Sequence, residues 1–112
     1  MSSFTQLIER IRKEPRLFVA LPVKIYFTES SNEFQMACTY EISYKGARLM
    51  QIKGVTQIGQ EVWVQRQIRK AKYKVLWIGR DGTEQQGQIG LECIEPEKII
   101  WEKELADRKS VV

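Results

Sequence analysis

Arg12 and Arg16 stand four positions apart around Lys13-Glu14-Pro15, and further on the run Glu41-Ile42-Ser43-Tyr44-Lys45-Gly46 brings together an acid, a hydroxyl and a glycine. A guanidinium pairs bidentately with phosphate oxygens and with guanine O6 and N7, and its flat face stacks on a base, which an ammonium cannot do. A carboxylate such as Glu41 accepts from N–H donors, and the Ser43 hydroxyl can donate to an anion or accept from an N–H. Gly46 permits positive φ and close backbone approach, and Lys13 adds positive potential. Together the two strings offer the means to clamp a small dianionic ligand with purine faces.

Neither string is built for bond-breaking chemistry. The chain has no histidine, which removes the commonest general base and the commonest transition-metal ligand. Cys38 and Cys93 are far apart and lack any metal-binding or pairing motif, so they read as reduced core thiols. No catalytic residue, metal or cofactor is expected.

The elements that must position these groups follow from periodicity. Phe4, Leu7, Ile8 and Ile11 recur at helical spacing and predict a short amphipathic helix that stops before Pro15. Strict alternation then runs from Leu17 to Thr28, with Leu17, Val19, Leu21, Val23, Ile25 and Phe27 on one face. Pro22 marks an edge or bulge position within that strand. In the second strand Phe34, Met36, Cys38, Tyr40 and Ile42 are expected inward, and Gln35, Ala37, Thr39, Glu41 and Ser43 outward. A third strand starts near Ala47, and a fourth holds Val62, Trp63 and Val64. The basic run Arg66–Lys74 reads as a hairpin leading into Val75-Leu76-Trp77-Ile78. Asp81-Gly82 marks a turn. A sixth strand places Ile89, Leu91 and Cys93 inward, and a helix through Ile99, Ile100, Trp101 and Leu105 follows Pro96. The expected fold is all-β: a six-stranded antiparallel barrel with short N-terminal and C-terminal helices. Residues 1–14 form the helix and a flexible arginine-bearing segment, 15–106 the barrel domain with its helix, and 107–112 a frayed tail.

A chain of 112 residues with 43% hydrophobic and 29% charged residues is bounded to one globular domain. No apolar run approaches the roughly 18 residues of a membrane span, and the first residues do not pattern as a secretory signal. A cytoplasmic location is the expectation, with a monomer or weak dimer. The net charge of +4 favours an anionic partner. Arg66, Arg69, Lys70, Lys72 and Lys74 around Tyr73 invite a nucleic-acid reading, but flanking glutamates blunt that field and a solvated hairpin is favoured. Trp63, Trp77 and Trp101 look like stacking groups, yet aromatic residues more often fill a core, and Trp77 and Trp101 suit the role of barrel plugs.

The ordered set of motifs resembles the PilZ domain family, bacterial modules that bind cyclic di-GMP. The Arg-x-x-x-Arg string before the first strand is matched by Arg12 and Arg16. The Asp/Asn-x-Ser-x-x-Gly string at the end of the second strand is matched by Glu41, Ser43 and Gly46. A Val-x-Trp strand and a Gly-hydrophobic-Glu strand are matched by Val75-Leu76-Trp77 and Gly90-Leu91-Glu92. The likeness runs from about Arg12 to Trp101. It implies a non-catalytic second-messenger receptor that binds cyclic di-GMP through Arg12, Lys13, Arg16, Glu41, Ser43 and Gly46. Such a receptor would relay the signal to a protein partner in motility, biofilm or surface-structure control. Glu41 departs from the Asp or Asn of the family, and its extra methylene displaces the carboxylate and adds a rotor to be ordered. The alternative is therefore a domain of the same fold that no longer binds nucleotide and acts through protein contacts. Without the second motif, Arg12 and Arg16 read more readily as solvated charges, or as partners of Glu9 and Glu14, than as a ligand clamp.

Overall fold

A computed structural model describes residues 16–50, 52–95 and 97–111, with side chains described as far as Ala106. The alternating segment after Arg16 forms β1 (Arg16–Leu17) and β2 (Pro22–Tyr26). Then come β3 (Gln35–Ser43), β4 (Gly46–Met50), β5 (Glu61–Arg66), β6 (Arg69–Ile78), β7 (Ile89–Cys93) and the helix α1 (Glu102–Val111). Every strand pairing is antiparallel. The order β3-β2-β5-β6-β7-β4 returns to β3 through a β3–β4 pairing, which closes a six-stranded barrel; β1 lies along the far end of β3. This is the all-β barrel expected from the periodicity. The expected N-terminal helix, with Arg12 and Lys13, lies outside the described residues.

The interior is filled by β-branched and aliphatic residues that alternate along the strands, among them Val23, Ile25, Leu49, Val62, Val64, Val75, Ile89 and Leu91. Ile100, Trp101 and Leu105 join this core, and Trp101 is fully buried. The C-terminal helix starts at Glu102, so Ile99, Ile100 and Trp101 precede it, the last two in a turn, rather than belonging to it. Burial pushes the Tyr73 phenol in the barrel interior well above the ordinary tyrosine range. No described helix is long and apolar enough to cross a membrane.

The inward and outward faces of β3 differ from the expected ones. Ala37 and Thr39 are buried, whereas Phe34, Met36 and Tyr40 are exposed. The register slips between Thr39 and Glu41, where a β-bulge sets Tyr40 and Glu41 outward in succession and returns Ile42 to the core. Phe27, expected inward, lies just past the end of β2 and is exposed.

The first strand is also interrupted. Leu17 and Pro22 are five positions apart, yet their β3 partners Ile42 and Cys38 are four apart, so segment 18–21 carries one extra residue. Thr39, with no exposed surface, closes this irregularity from inside: its Oγ1 accepts from Leu21 N (2.9 Å) and donates to the Val19 carbonyl. A hydroxyl was needed at an interior position because a bulge leaves backbone groups without ladder partners. Thr39→Val keeps the shape and removes both bonds. It is expected to lower stability by about 1–3 kcal/mol, the cost of stranding a buried polar group, read as a reduced urea midpoint at unchanged m-value; an unchanged midpoint would contradict this role.

Candidate ligand site

The β3–β4 hairpin turns through Tyr44 and Lys45, so Ile42 faces Ala47 and Glu41 faces Arg48 across the two strands. Ser43 fixes the turn, its Oγ accepting from Gly46 N at 3.1 Å. Gly46 is needed for space rather than for positive φ: it is absent from the positive-φ glycines, and a Cβ there would sit 2.6 Å from the Leu91 carbonyl oxygen of β7. β1 runs antiparallel to the same end of β3, with Arg16 opposite Ser43. Arg16, Glu41, Ser43 and Gly46 therefore line one recess of about 210 Å³ on the barrel's outer face. Four of the six expected site residues meet here. The other two, Arg12 and Lys13, fall outside the described residues.

The charges in this recess are already matched to one another. The Glu41 side chain is 14% exposed, with Oε1 3.5 Å from Arg16 Nη1 and Oε2 3.8 Å from Arg48 Nη2. Arg48 was not among the expected site residues, although the sequence carries its signal. A two-residue turn at Tyr44-Lys45 necessarily sets an acid at 41 opposite a base at 48, an opposite-charge cross-strand pair. Its guanidinium lies 4.9 Å from the centroid of Tyr40 and 5.7 Å from that of Trp77, both within cation–π range. Tyr40 in turn meets Phe18 edge-on at 6.0 Å. A row of π faces and one flat cation thus crosses the outer surface beside the carboxylate.

Trp77 is not a barrel plug. A second register shift, between Val75 and Trp77, turns Leu76 and Trp77 outward in succession. The indole then lies over Gly90, its partner on β7, where a Cβ would come within 2.0 Å of Nε1. Leu76, Trp77 and Gly90 complete the wall of the recess. Strict alternation cannot announce such a bulge. The available signal is a glycine inside a strand pattern, which marks close approach by another group.

The basic run takes a different course. It forms the β5–β6 hairpin, with Arg66 opposite Arg69. Arg66 Nε reaches Glu104 Oε2 of α1 at 3.2 Å, and Arg69 Nη1 reaches Glu102 Oε2 at 3.1 Å and the Ile99 carbonyl at 3.2 Å. Lys72 pairs with Glu61 at 3.0 Å, and Lys70 Nζ stands 3.8 Å above Tyr26. These cations clasp the C-terminal helix and the barrel wall. Among the described residues, no group of three His, Cys, Asp or Glu side chains could hold a metal ion.

Gly90→Ala tests how the Trp77 wall is built. The new methyl cannot coexist with the indole, so overpacking is expected to cost about 1–3 kcal/mol and to shift tryptophan emission to the red as the ring is levered toward water. A variant with wild-type melting and emission would show that the indole does not depend on this glycine.

No family model matches the sequence, and no curated protein matches it. Among solved structures, the Bacillus subtilis inhibitor of motility MotI/DgrA superposes with a TM-score of 0.61 at 18% sequence identity, over 88% of this chain and 51% of that one. The chain thus spans about half the length of that protein. The likeness supports the PilZ-like barrel fold expected from the motifs.

Proposed function

We propose that this domain is a non-catalytic receptor for cyclic di-GMP that passes the binding event to a protein partner. The observation that carries this reading is the convergence of Arg16, Glu41, Ser43 and Gly46 on one outer recess. These residues come from β1, the end of β3 and the start of β4. Arg16 would pair with a phosphate or a guanine O6/N7 edge, and Glu41 would accept from guanine N1–H and N2–H. Arg12 and Lys13 directly precede this recess in the chain and would add cations to it. The resemblance to an inhibitor of motility supports an output in the control of motility or another surface structure.

Isothermal titration with cyclic di-GMP at low salt tests the reading. Saturable heat is expected from the wild type. Arg16→Ala is expected to weaken binding about ten- to a hundredfold, the loss of one or two charge-assisted hydrogen bonds. No heat from the wild type would remove the ligand from the account.

One observation favours a second reading, in which the domain acts through protein contacts without nucleotide. The carboxylate that should read guanine is largely covered and held between Arg16 and Arg48, so a ligand must displace at least one of those pairs. The shorter side chain in Glu41→Asp would retreat from both arginines. Binding that appears only in this variant would establish that the native glutamate closes the site.

A further inference from the structure

The first recess, at about 210 Å³, is smaller than the roughly 300–1,000 Å³ of typical small-molecule sites. It offers room for one base edge or one phosphate, but a dinucleotide needs more surface. A second recess of about 350 Å³ adjoins it and shares two of its walls, Arg48 and Trp77. Arg80, Thr83 and Gln85 line its far side.

Arg80 differs from the other arginines whose side chains are described. Arg16 and Arg48 face Glu41, Arg66 faces Glu104 and Arg69 faces Glu102. Arg80 is exposed, and among the described residues it faces no carboxylate, although Asp81 and Glu84 belong to its own loop. That loop is held in shape. Gly79 N donates to the Gln88 carbonyl at 2.9 Å, the Thr83 hydroxyl donates to the Arg80 carbonyl at 2.7 Å, and Gly82 N donates to Gln86 Oε1 at 2.8 Å. Gly79 also packs so tightly on the Gln85 carbonyl that a Cβ would lie 1.7 Å from its oxygen. A guanidinium that faces no described carboxylate thus stands on a hydrogen-bonded loop, beside the Trp77 indole and the Arg48 guanidinium. A loop backbone already held in shape leaves only the side chain to be ordered when an anion binds.

We infer that the two recesses form one groove and that Arg80, with Thr83 and Gln85, takes the distal phosphate of a doubly phosphorylated purine ligand whose base edge lies in the first recess. Arg48 is the hinge of this groove, since it lines both halves and presents its flat face between Tyr40 and Trp77. The inference rests on the nucleotide reading above and deepens it.

The test is titration of wild type, Arg80→Ala and Arg80→Lys with cyclic di-GMP, with stoichiometry fitted and melting temperature measured on each. Because Arg80 is exposed and has no ion pair among the described residues, both variants are expected to melt like the wild type. One ligand per chain is expected, bound about tenfold more weakly by Arg80→Ala and with partial recovery in Arg80→Lys. Equal affinity in wild type and Arg80→Ala would overturn the groove while leaving the first recess as the binding site. Two ligands per chain, the second alone sensitive to Arg80, would also overturn it, since the recesses would then act separately. No binding by the wild type would remove this inference together with the nucleotide reading.

Discussion

A barrel has no free edge, so an irregularity in one strand cannot be discharged into solvent and must be absorbed by its neighbours. In this domain that constraint falls on β3 and β6, each of which carries one extra residue. In both strands two successive side chains turn outward, Tyr40 with Glu41 and Leu76 with Trp77, and the next residue returns to the barrel side: Ile42 is fully buried and Ile78 packs against the core. The candidate site depends on these two steps. Regular alternation would have sent Glu41 or Tyr40 into the core, and Trp77 with them, leaving Arg48 without the groups that hold it. Interior packing survives because the strands resume their phase on the far side of each bulge.

Electrostatics divides the surface into two regimes. On the β5–β6 hairpin Arg66 and Arg69 are matched by acids of α1 and Lys72 by an acid of β5, and the two arginines hold the helix whose neighbours Ile100 and Trp101 enter the core. The Arg69–Glu102 and Lys72–Glu61 pairs are open to solvent, where such pairs contribute little each, typically below about 1 kcal/mol, and the apolar burial of Trp101 and Leu105 carries more of the docking. Around the hairpin turn at Ser43 one carboxylate serves two arginines, so an excess of positive charge remains beside open recesses. The density of basic residues in the sequence is thus a poor guide to where an anion would be received, since the richest cluster is the one already matched.

The strands, the hairpin turns and the motif bearing Glu41, Ser43 and Gly46 were legible in the sequence because each is a local signal. What escaped is the phase of β3. Phe34, Met36, Cys38 and Tyr40 are the more hydrophobic set, so alternation assigns them to the core, yet Ala37 and Thr39 point inward. The interior there lies against the irregular segment 18–21, where a small residue and a hydrogen-bonding one fit better than aromatic rings. The large side chains find partners outside: Phe34 beneath Lys24 (4.5 Å) and against Tyr26 (5.8 Å), and Tyr40 against Phe18 and Arg48. Trp77 was misplaced for the same reason, a single residue of slip that composition does not reveal.

The twin slips at Tyr40 and Leu76 also bear on how such a surface can arise. Point substitutions along a regular strand can only exchange residues within a face already assigned. Inserting a single codon adds an outward position while both flanks of the strand keep their interior contacts, so it creates a pair of adjacent external side chains in one genetic event. Two barrels with nearly superimposable interiors can therefore differ wholly in what their walls recognise, and comparison of their cores will not tell them apart.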